Sequence, residues 1–207
     1  MQTSGKYFSR MKQIPDKKST IYRSTLELIS KNGFHGTPMS QIARDANLSI
    51  GIIYHYFSGK EELLNMVYLD IKKKFADYVI QLLNDDLSPE ENLKLVFFNI
   101  FHYYFENWKD LSFVEQYENS PLIDHATHES TAVLLIPIIQ LFEKAKKEMI
   151  LKPLRTEILI SLSFGAVVFL AKSYISLGMI LNDQQIDTEL NAVWDMIKYA
   201  DSADLYI

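Results

Sequence analysis

Two short helices joined by a tight turn are predicted between residues 37 and 64, and this stretch constrains the fold more than any other. In the first helix Met39, Ile42 and Ala43 are spaced so that they line one face. Asn47 then tolerates the left-handed backbone conformation that commonly ends a helix. The spacing and the stop signal together predict a short helix followed by a sharp change of direction.

The second helix is predicted at residues 50–57, directly after Ser49, which is a favoured N-cap residue type. Ile53 and Phe57 are four residues apart and are expected to face inward. Gly51 lacks a side chain and so permits a close approach of another backbone near the start of this helix. Two short helices with this connection predict a helix-turn-helix, whose second helix enters the major groove of DNA.

Taken together, these positions resemble the N-terminal signature of the TetR family of transcriptional regulators, over roughly residues 20–67. The resemblance implies an all-α fold with two parts. We expect a three-helix DNA-binding head at residues 15–75, with the motif at 38–57, and a helical effector-binding and dimerisation body at 76–207. The matching segments are Ile42-Ala43, Ala46-Asn47-Leu48-Ser49-Ile50-Gly51, Tyr54-His55-Tyr56-Phe57 and Lys60-Glu61-Glu62-Leu63.

Charge is divided unevenly along the chain, although its net charge is −5. Residues 1–60 hold nine lysines and arginines against three acidic residues, which leaves the remainder strongly acidic. A basic part on an acidic remainder is the asymmetry expected when one domain of a protein meets phosphate groups. The charge distribution therefore supports binding of double-stranded DNA by the N-terminal part.

Several residues of the motif are candidates for contacts to the DNA backbone. The phenol of Tyr54 resembles the family's backbone-contacting tyrosine, and Lys60 would pair with a phosphate. Thr37 and Ser49 are candidate phosphate donors, although both residues could serve only as helix caps. Tyr56 could donate its hydroxyl to a phosphate, or its ring could pack beside the next phenylalanine.

Other residues of the motif are expected to face the base edges. Isoleucine cannot read hydrogen-bond donors or acceptors, but it can touch the methyl group of thymine. Ile50 and Ile52 stand where many family members carry polar groups, so we expect sequence preference to depend on polar neighbours and on DNA shape. The candidates are Ile50, Gly51, Ile52 and His55 of the second helix, with Ser40, Gln41 and Arg44 of the first.

The rest of the chain is predicted to be helical, and one segment is dense in aromatic residues. Helices are expected at about 89–107 and 108–117, after a long helix that begins at Lys60. Their aromatic side chains could form an ordinary core or could line an apolar cavity. The resemblance implies a small-molecule effector site in this region. Candidate effector-binding residues are Phe97, Phe101, His102, Tyr104, Phe105, Trp108, Phe113 and Tyr117.

Three more helices are expected at about 127–149, 154–177 and 186–199, with a kink at Pro137 in the first of them and a loop at 182–185. The most apolar run, 158–171, is short for a membrane span and predicts a buried helix. A two-fold interface would bury the last two helices, and the resemblance implies a homodimer there. Candidate interface residues are Phe164, Val168, Leu190, Val193, Trp194 and Ile197.

The sequence therefore predicts a cytoplasmic DNA-binding transcriptional regulator, with a repressor released by a small apolar or aromatic effector as the first hypothesis. The alternative is a ligand-independent architectural or cell-cycle DNA-binding protein of the same fold. No catalytic constellation stands out, and the chain has no cysteine, so an enzyme is not expected. We expect no cofactor, no metal and no membrane partner, although His125, His128 and Glu129 form a weak candidate for a metal site.

Overall fold

The structure, a computed structural model, describes residues 16–120, 127, 131 and 133–199. The regular elements of this part of the chain are helices, with one isolated antiparallel bridge between Leu151 and Lys198. In chain order the helices are α1 (Lys17–Asn32), α2 (Met39–Asp45), α3 (Ile50–Tyr56), α4 (Lys60–Ile80), α5 (Pro89–Glu106), α6 (Trp108–Glu118), α7 (Ile136–Lys147, preceded by the 3-10 turn Val133–Leu135), α8 (Thr156–Leu177) and α9 (Asp183–Ile197). The predicted all-α fold is confirmed.

Residue contacts divide the chain into two compact units, and the boundary lies at Lys60. We expected the boundary between the two parts after residue 75, and that position lies inside α4. The physical reason is the burial of Phe75 and Val79, which belong to the apolar core of the second unit. The long helix is therefore assigned almost entirely to that unit.

The first unit packs α1, α2 and α3 around a small apolar core. Ile21, Ile42 and Ile53 are completely buried, one from each helix. The ring of Tyr22 on α1 lies 6.0 Å from that of Phe57, which ends α3. Because each helix contributes its apolar face to this core, α2 and α3 are held at a fixed angle.

The turn between α2 and α3 follows the predicted geometry closely. Asn47 adopts a left-handed conformation with φ of 55°. Its N–H donates to the carbonyl of Arg44 at 3.1 Å, and the N–H of Leu48 donates to that of Ala43 at 2.9 Å. These two bonds form a Schellman motif, which satisfies the last carbonyls of α2 and turns the chain into α3.

Two glycines of the first unit have very different surroundings. A Cβ built on Gly51 would meet only the Oγ of Ser49 at 4.0 Å, so the described part of the chain leaves the space at Gly51 open and itself makes no close backbone approach there. The close approach is at Gly36 instead, where a built Cβ would lie 2.3 Å from the carbonyl oxygen of Asn32. The chain can therefore leave α1 tightly only because residue 36 has no side chain.

The second unit is built around α5. Its first turn carries a complete capping box, in which the Ser88 hydroxyl accepts from the Glu91 N–H and the Glu91 carboxylate accepts from the Ser88 N–H at 2.8 Å. α5 then packs against α7, α8 and α9, and a large apolar core lies among these helices. Phe97, Ile100 and Phe101 of α5 are completely buried in it.

Two local predictions in the second unit are wrong. Pro137 lies in the first turn of α7 rather than inside a longer kinked helix, because a proline there gives up no helical hydrogen bond. α9 begins at Asp183, where a loop was expected, since the Asn182 side chain accepts from the Gln185 N–H at 3.1 Å and caps the helix. His125, His128 and Glu129, which formed the weak candidate for a metal site, lie outside the described residues.

α8 is long and apolar, and only part of its surface is covered. It has 22 residues, and its most apolar window of 18 residues has a mean hydropathy of 1.9, so by length and composition alone it could cross a membrane. Only 28% of that apolar window is buried within one chain, so the predicted burial of the whole helix would need cover from outside this chain. One face of α8 packs against α5, and the opposite face, which includes Leu162 and Phe169, is exposed.

Candidate functional site

The predicted DNA-contacting residues lie together on α2, α3 and the start of α4. Since α2 and α3 pack against each other, the outward positions of both helices belong to one surface of the first unit. We call this surface the motif face. Its exposed residues are Ser40, Arg44, Ser49, Ile50, Gly51, Tyr54, His55 and Tyr56, and its half-buried residues are Gln41, Ile52 and Lys60.

The most prominent side chains of the motif face are aromatic and aliphatic. Tyr54 is 53% exposed and Ile50 is 40% exposed, so both project from α3. The ring of Tyr56 lies 5.5 Å from that of His55 and 6.3 Å from that of Phe57. The ring of Tyr56 thus packs beside Phe57, which was one of the two predicted alternatives, while 39% of the residue remains exposed.

Lys60 has a structural partner as well as an accessible side. Its ammonium donates to the main-chain carbonyl of Phe34, which fixes the start of α4 beside the exit of α1. Partial burial lowers the pKa of Lys60 below its ordinary value. The ammonium has three hydrogens, so donation to one carbonyl still leaves donors for a phosphate oxygen.

Thr37 is a correction to the predicted contact set. It is completely buried, and its hydroxyl donates to the carbonyl of Gly33 at 2.9 Å. A side chain with no exposed surface cannot reach a phosphate. Pro38, not Thr37, occupies the N-cap of α2, so the capping role expected for Thr37 is also wrong. At α3 the N-cap residue is Ser49 as predicted, but its side chain makes no capping hydrogen bond.

Positive charge is available on the same unit. Lys31 pairs with Glu27 at 2.6 Å, and the Lys18 ammonium lies 5.7 Å from the centre of the Tyr22 ring. Within the described part of the chain, Arg44 and Arg23 have no ion-pair partner and are exposed. Unpaired arginines at the surface can bind phosphate without first breaking an intramolecular bond.

Comparison with known proteins finds matches to both units of the chain. The family profile "Bacterial regulatory proteins, tetR family" matches residues 21–67, and "Tetracyclin repressor-like, C-terminal domain" matches residues 90–198, which is more than half of the chain. A TetR-family protein of Vibrio parahaemolyticus is 32% identical, with a TM-score of 0.73, over 89% of this chain and 100% of that one.

The chain belongs to the TetR family of transcriptional regulators.

Two further proteins are similar to this chain. The fatty acid metabolism regulator protein of Bacillus subtilis is 31% identical over 86 residues, which are 42% of this chain and 44% of that protein. The chain thus spans less than half of the length of the curated relatives that it matches. The structure of FadR from Bacillus subtilis in complex with stearoyl-CoA has a TM-score of 0.65 and 20% identity, over 86% of this chain and 95% of that one.

Within this TetR-family body, the predicted effector-binding residues do not form one group. Phe97 and Phe101 lie in the apolar core, where the Phe101 ring meets that of Tyr174 edge-on at 5.3 Å. His102 and Phe105 are half-buried on α5, and the buried Nε2 atom of His102 has no hydrogen-bond partner within the described residues. These residues were predicted from aromatic density, which does not distinguish a cavity from a core.

Three of the predicted residues, Tyr104, Phe113 and Tyr117, lie in or beside the region where side chains of α4 and α6 meet. Phe113 stacks on Tyr117 at 5.5 Å, and the Tyr117 hydroxyl donates to the Asn65 side chain at 2.5 Å. Tyr104 is buried nearby, where burial raises its pKa and the negative charge of Glu118 raises that pKa further.

The α4 side of this region was missed in the sequence. The Tyr68 hydroxyl donates to a Glu118 carboxylate oxygen at 2.7 Å, and the Lys72 ammonium donates to the same oxygen at 3.2 Å. Tyr68 occurs four residues from the buried Leu64 in the stripe of α4, so its burial was predictable from periodicity. Its hydrogen bond to a residue 50 positions away was not predictable.

Trp108 lies elsewhere, on an open groove between α6 and α8. The groove has a volume of about 290 Å³, and most of its surface is apolar, with Leu111, Phe169 and Ile175 among the lining residues. Lys172 and Glu115, which also line it, form an ion pair at 2.8 Å. Trp108 therefore does not share one cavity with Phe113 and Tyr117.

The predicted dimer-interface residues of α9 need correction. Leu190, Trp194 and Ile197 are at most 6% exposed and belong to the chain's own core. The Trp194 ring also lies 5.5 Å from the Lys94 ammonium of α5. The apolar stripe of α9 is therefore used inside one chain, and a charge introduced at Trp194 would test folding rather than dimerisation.

The remaining three candidates, Phe164, Val168 and Val193, are half-buried against the same core. The large apolar side chains that one chain leaves exposed on α8 are Ile158, Leu162, Phe169 and Leu177. The sequence shows that α8 is apolar on two opposite faces. It does not show which of the two faces the chain itself covers.

Proposed function

We propose that this protein is a repressor that binds a near-palindromic operator as a homodimer and is released by a small apolar or aromatic effector. The observation that carries the proposal is the motif face, where exposed side chains of α2 and α3 project from a rigid three-helix unit of basic character. α3 is short and exposed on one side, which is what entry into a major groove requires.

Contacts to the DNA backbone are assigned to Tyr54, Tyr56, Ser49 and Lys60. Their hydroxyl and ammonium groups donate hydrogen bonds, which phosphate oxygens accept. Such contacts fix the position of the protein on the duplex and carry no sequence information of their own. Ser49 and Tyr54 are both exposed on or next to α3, in keeping with this role.

Contacts to bases are assigned to the centre of the motif face. His55, Ser40, Gln41 and Arg44 offer hydrogen-bonding groups toward the groove, and Ile50 and Ile52, with Gly51 between them, offer an apolar surface. An apolar surface next to polar groups favours sequences that present thymine methyl groups beside a hydrogen-bonding base.

The effector site is assigned to the region between α4 and α6, where Tyr104, Phe113 and Tyr117 lie with Tyr68. Buried rings with polar tips can enclose an apolar ligand and orient its polar end. The Bacillus subtilis FadR structure, which holds stearoyl-CoA on the same fold, supports a ligand with a long apolar part. A DNA-binding regulator of this kind works in the cytoplasm, where the operator is.

Selection of bound duplexes from fragmented genomic DNA tests the proposal. The purified protein should enrich one near-palindromic sequence whose half-sites are separated by about 34–36 Å, or a multiple of this distance. The genes beside that sequence would indicate the effector class, and hydrophobic metabolites would then be screened for release of the protein from the operator. Enrichment without any palindrome, together with no metabolite response, would favour the ligand-independent architectural protein instead.

A further inference from the structure

A second groove lies between α5 and α9, and the proposed function does not use it. Phe98, which lines the groove, and Tyr104 of the proposed effector site both lie on α5. Six residues place their side chains about 120° apart around the helix, so the groove and the effector site face different sides of α5. We call this surface the α5–α9 groove. Its lining residues in the described part of the chain are Lys94, Phe97, Phe98, Asp187, Leu190 and Asn191.

The apolar part of the groove consists of a buried base and one exposed ring. Phe97 is completely buried and Leu190 is nearly so, and these two residues form the base. Phe98 is 37% exposed, and the centre of its ring lies 4.1 Å from that of His102. The His102 ring in turn meets that of Phe101 edge-on at 5.4 Å. These contacts hold the Phe98 ring at the surface, where a flat apolar group can pack against it.

The lysine of the groove is already paired inside the chain. The Lys94 ammonium lies 2.8 Å from a Glu90 carboxylate oxygen and 5.5 Å from the centre of the Trp194 ring. A lysine and a glutamate in contact carry no net charge together, so the pair attracts an incoming anion only weakly. Lys94 therefore does not make the groove a site for anions.

The α9 side of the groove offers hydrogen-bond acceptors that the chain leaves free. Asp187 and Asn191 lie four residues apart, on one face of α9. The Asn191 amide nitrogen donates to the main-chain carbonyl of Asp187 at 2.8 Å, so its side-chain oxygen remains to accept. The Asp187 carboxylate has no ion pair or hydrogen bond within the described residues. The groove thus presents one unpaired negative charge beside an exposed ring.

The charge of the whole second part of the chain acts in the same direction. The net charge of the chain is −5 and residues 1–60 contribute +6, so residues 61–207 carry −11. Such a surface raises the local concentration of cations and lowers that of anions. The surroundings of Asp187 therefore favour a positively charged ligand.

We propose that the α5–α9 groove binds a small organic cation, with an ammonium group on an apolar body of one ring. The ammonium donates charge-assisted hydrogen bonds to the Asp187 carboxylate and the Asn191 side-chain oxygen, and the ring packs on Phe98. The groove volume of about 270 Å³ is just below the roughly 300–1,000 Å³ of most ligand pockets, which limits the ligand to one ring. This site is additional to the effector site and to the motif face.

Fluorescence titration with 2-phenylethylamine tests the site, since this probe has one aromatic ring and one primary ammonium group. Trp194 reports on the groove because its ring lies beside Lys94. The chain has two tryptophans, so Trp108→Phe leaves Trp194 alone and serves as the parent protein. The parent should bind the probe saturably with a Kd of about 1 mM or below, which about nine non-hydrogen atoms can supply. The matched anion 3-phenylpropionate should bind more weakly by roughly tenfold or more.

Variants made in the parent test the two sides of the groove separately. Asp187→Asn keeps an acceptor but removes the charge, and it should weaken 2-phenylethylamine binding by roughly fivefold or more. Phe98→Ala removes the exposed ring and should weaken binding by roughly threefold or more. Asp187→Lys should reverse the preference, so that 3-phenylpropionate binds more tightly than the amine. Asp77→Asn makes the same charge change at an exposed position of α4 and should leave binding unchanged.

Each other outcome overturns the site. Absence of saturable binding up to roughly ten times the expected Kd overturns it, and so does equal affinity for the two probes. Amine binding that is unchanged in both Asp187→Asn and Phe98→Ala would place the probe elsewhere in the protein. Thermal unfolding of every variant confirms that it is folded, and Asp187→Lys still decides the case if Phe98→Ala is not. The proposed function is tested independently, because DNA binding uses the motif face.

Discussion

At the scale of single residues, Lys60 combines a role in folding with a predicted role in binding. The bond from its ammonium to the Phe34 carbonyl joins the start of α4 to the exit of α1. That bond also holds the ammonium at the edge of the motif face, where the proposed phosphate contact lies. Since the position is set in the free protein, little side-chain entropy is lost when DNA binds.

Replacing Lys60 with Ala should weaken binding to all duplexes by a similar factor. The slope of log affinity against log salt concentration should fall by roughly one per half-site, as one phosphate contact is lost. Titrations of operator and unrelated DNA at several salt concentrations measure both quantities. Lys73→Ala removes an exposed lysine of α4 as the control. An unchanged salt slope in Lys60→Ala would remove Lys60 from the contact set.

Asp110 carries a charge that folding makes less favourable. Burial raises its pKa, and the bond that it accepts from the Tyr103 hydroxyl at 2.9 Å offsets this only in part. A carboxyl group with a raised pKa binds its proton more tightly in the folded protein. Its unfavourable contribution is therefore present at neutral pH and disappears as the pH falls through the folded pKa.

Asp110→Asn should accordingly raise the melting temperature at pH 7, because the amide oxygen can still accept from Tyr103 and no charge is buried. The difference from the wild type should shrink as the pH is lowered. Thermal unfolding of both proteins between pH 7 and pH 4 measures this, with the exposed Asp187→Asn as the control. A variant that is less stable than the wild type at pH 7 would mean that the Tyr103 bond outweighs burial.

At the scale of the helices, the turns between helices also depend on particular residues. Gly36 lies against the carbonyl of Asn32, whereas a Cβ on Gly59 would meet nothing within 4 Å. Gly36→Ala should therefore destabilise the protein by about 1–3 kcal/mol, a usual cost of overpacking, and Gly59→Ala should have little effect. Chemical denaturation measures both variants. Equal stability of the two would show that the turn after α1 relaxes freely.

The sequence predicted helices best where local chemistry alone determines them. The end of α2 at Asn47 and the start of α5 at residue 89 were predicted because their signals lie within a few residues. The start of α9 was missed although Asn182 is an ordinary capping residue, since its loop-like neighbours outweighed it. Burial was harder to predict: Trp194 and Thr37 were placed on surfaces, and only the packing of distant helices shows that both are covered.

At the scale of the whole molecule, an effector bound in the second unit can act on DNA binding only through its preference for one state of the protein. An effector that lowers operator affinity tenfold supplies about 1.4 kcal/mol of coupling, which is within the usual range. Linkage requires that saturating operator DNA weaken the effector by the same factor. Calorimetric titration of an effector with and without the operator measures this, and an effector affinity unchanged by DNA would exclude it as the inducer.

The central claim is that the motif face reads DNA, and a matched pair of histidines tests it most directly. His55 lies on α3, whereas His35 is exposed on the same unit but outside both motif helices. The measurement is the ratio of affinities for the selected operator and for unrelated duplex DNA in His55→Ala, His35→Ala and the wild type. The account predicts a salt-dependent wild type whose preference for the operator falls by roughly fivefold or more in His55→Ala, since losing a base contact costs about 1–3 kcal/mol, and remains unchanged in His35→Ala. A wild type without salt-dependent DNA binding, or two variants with the same operator preference, would contradict it.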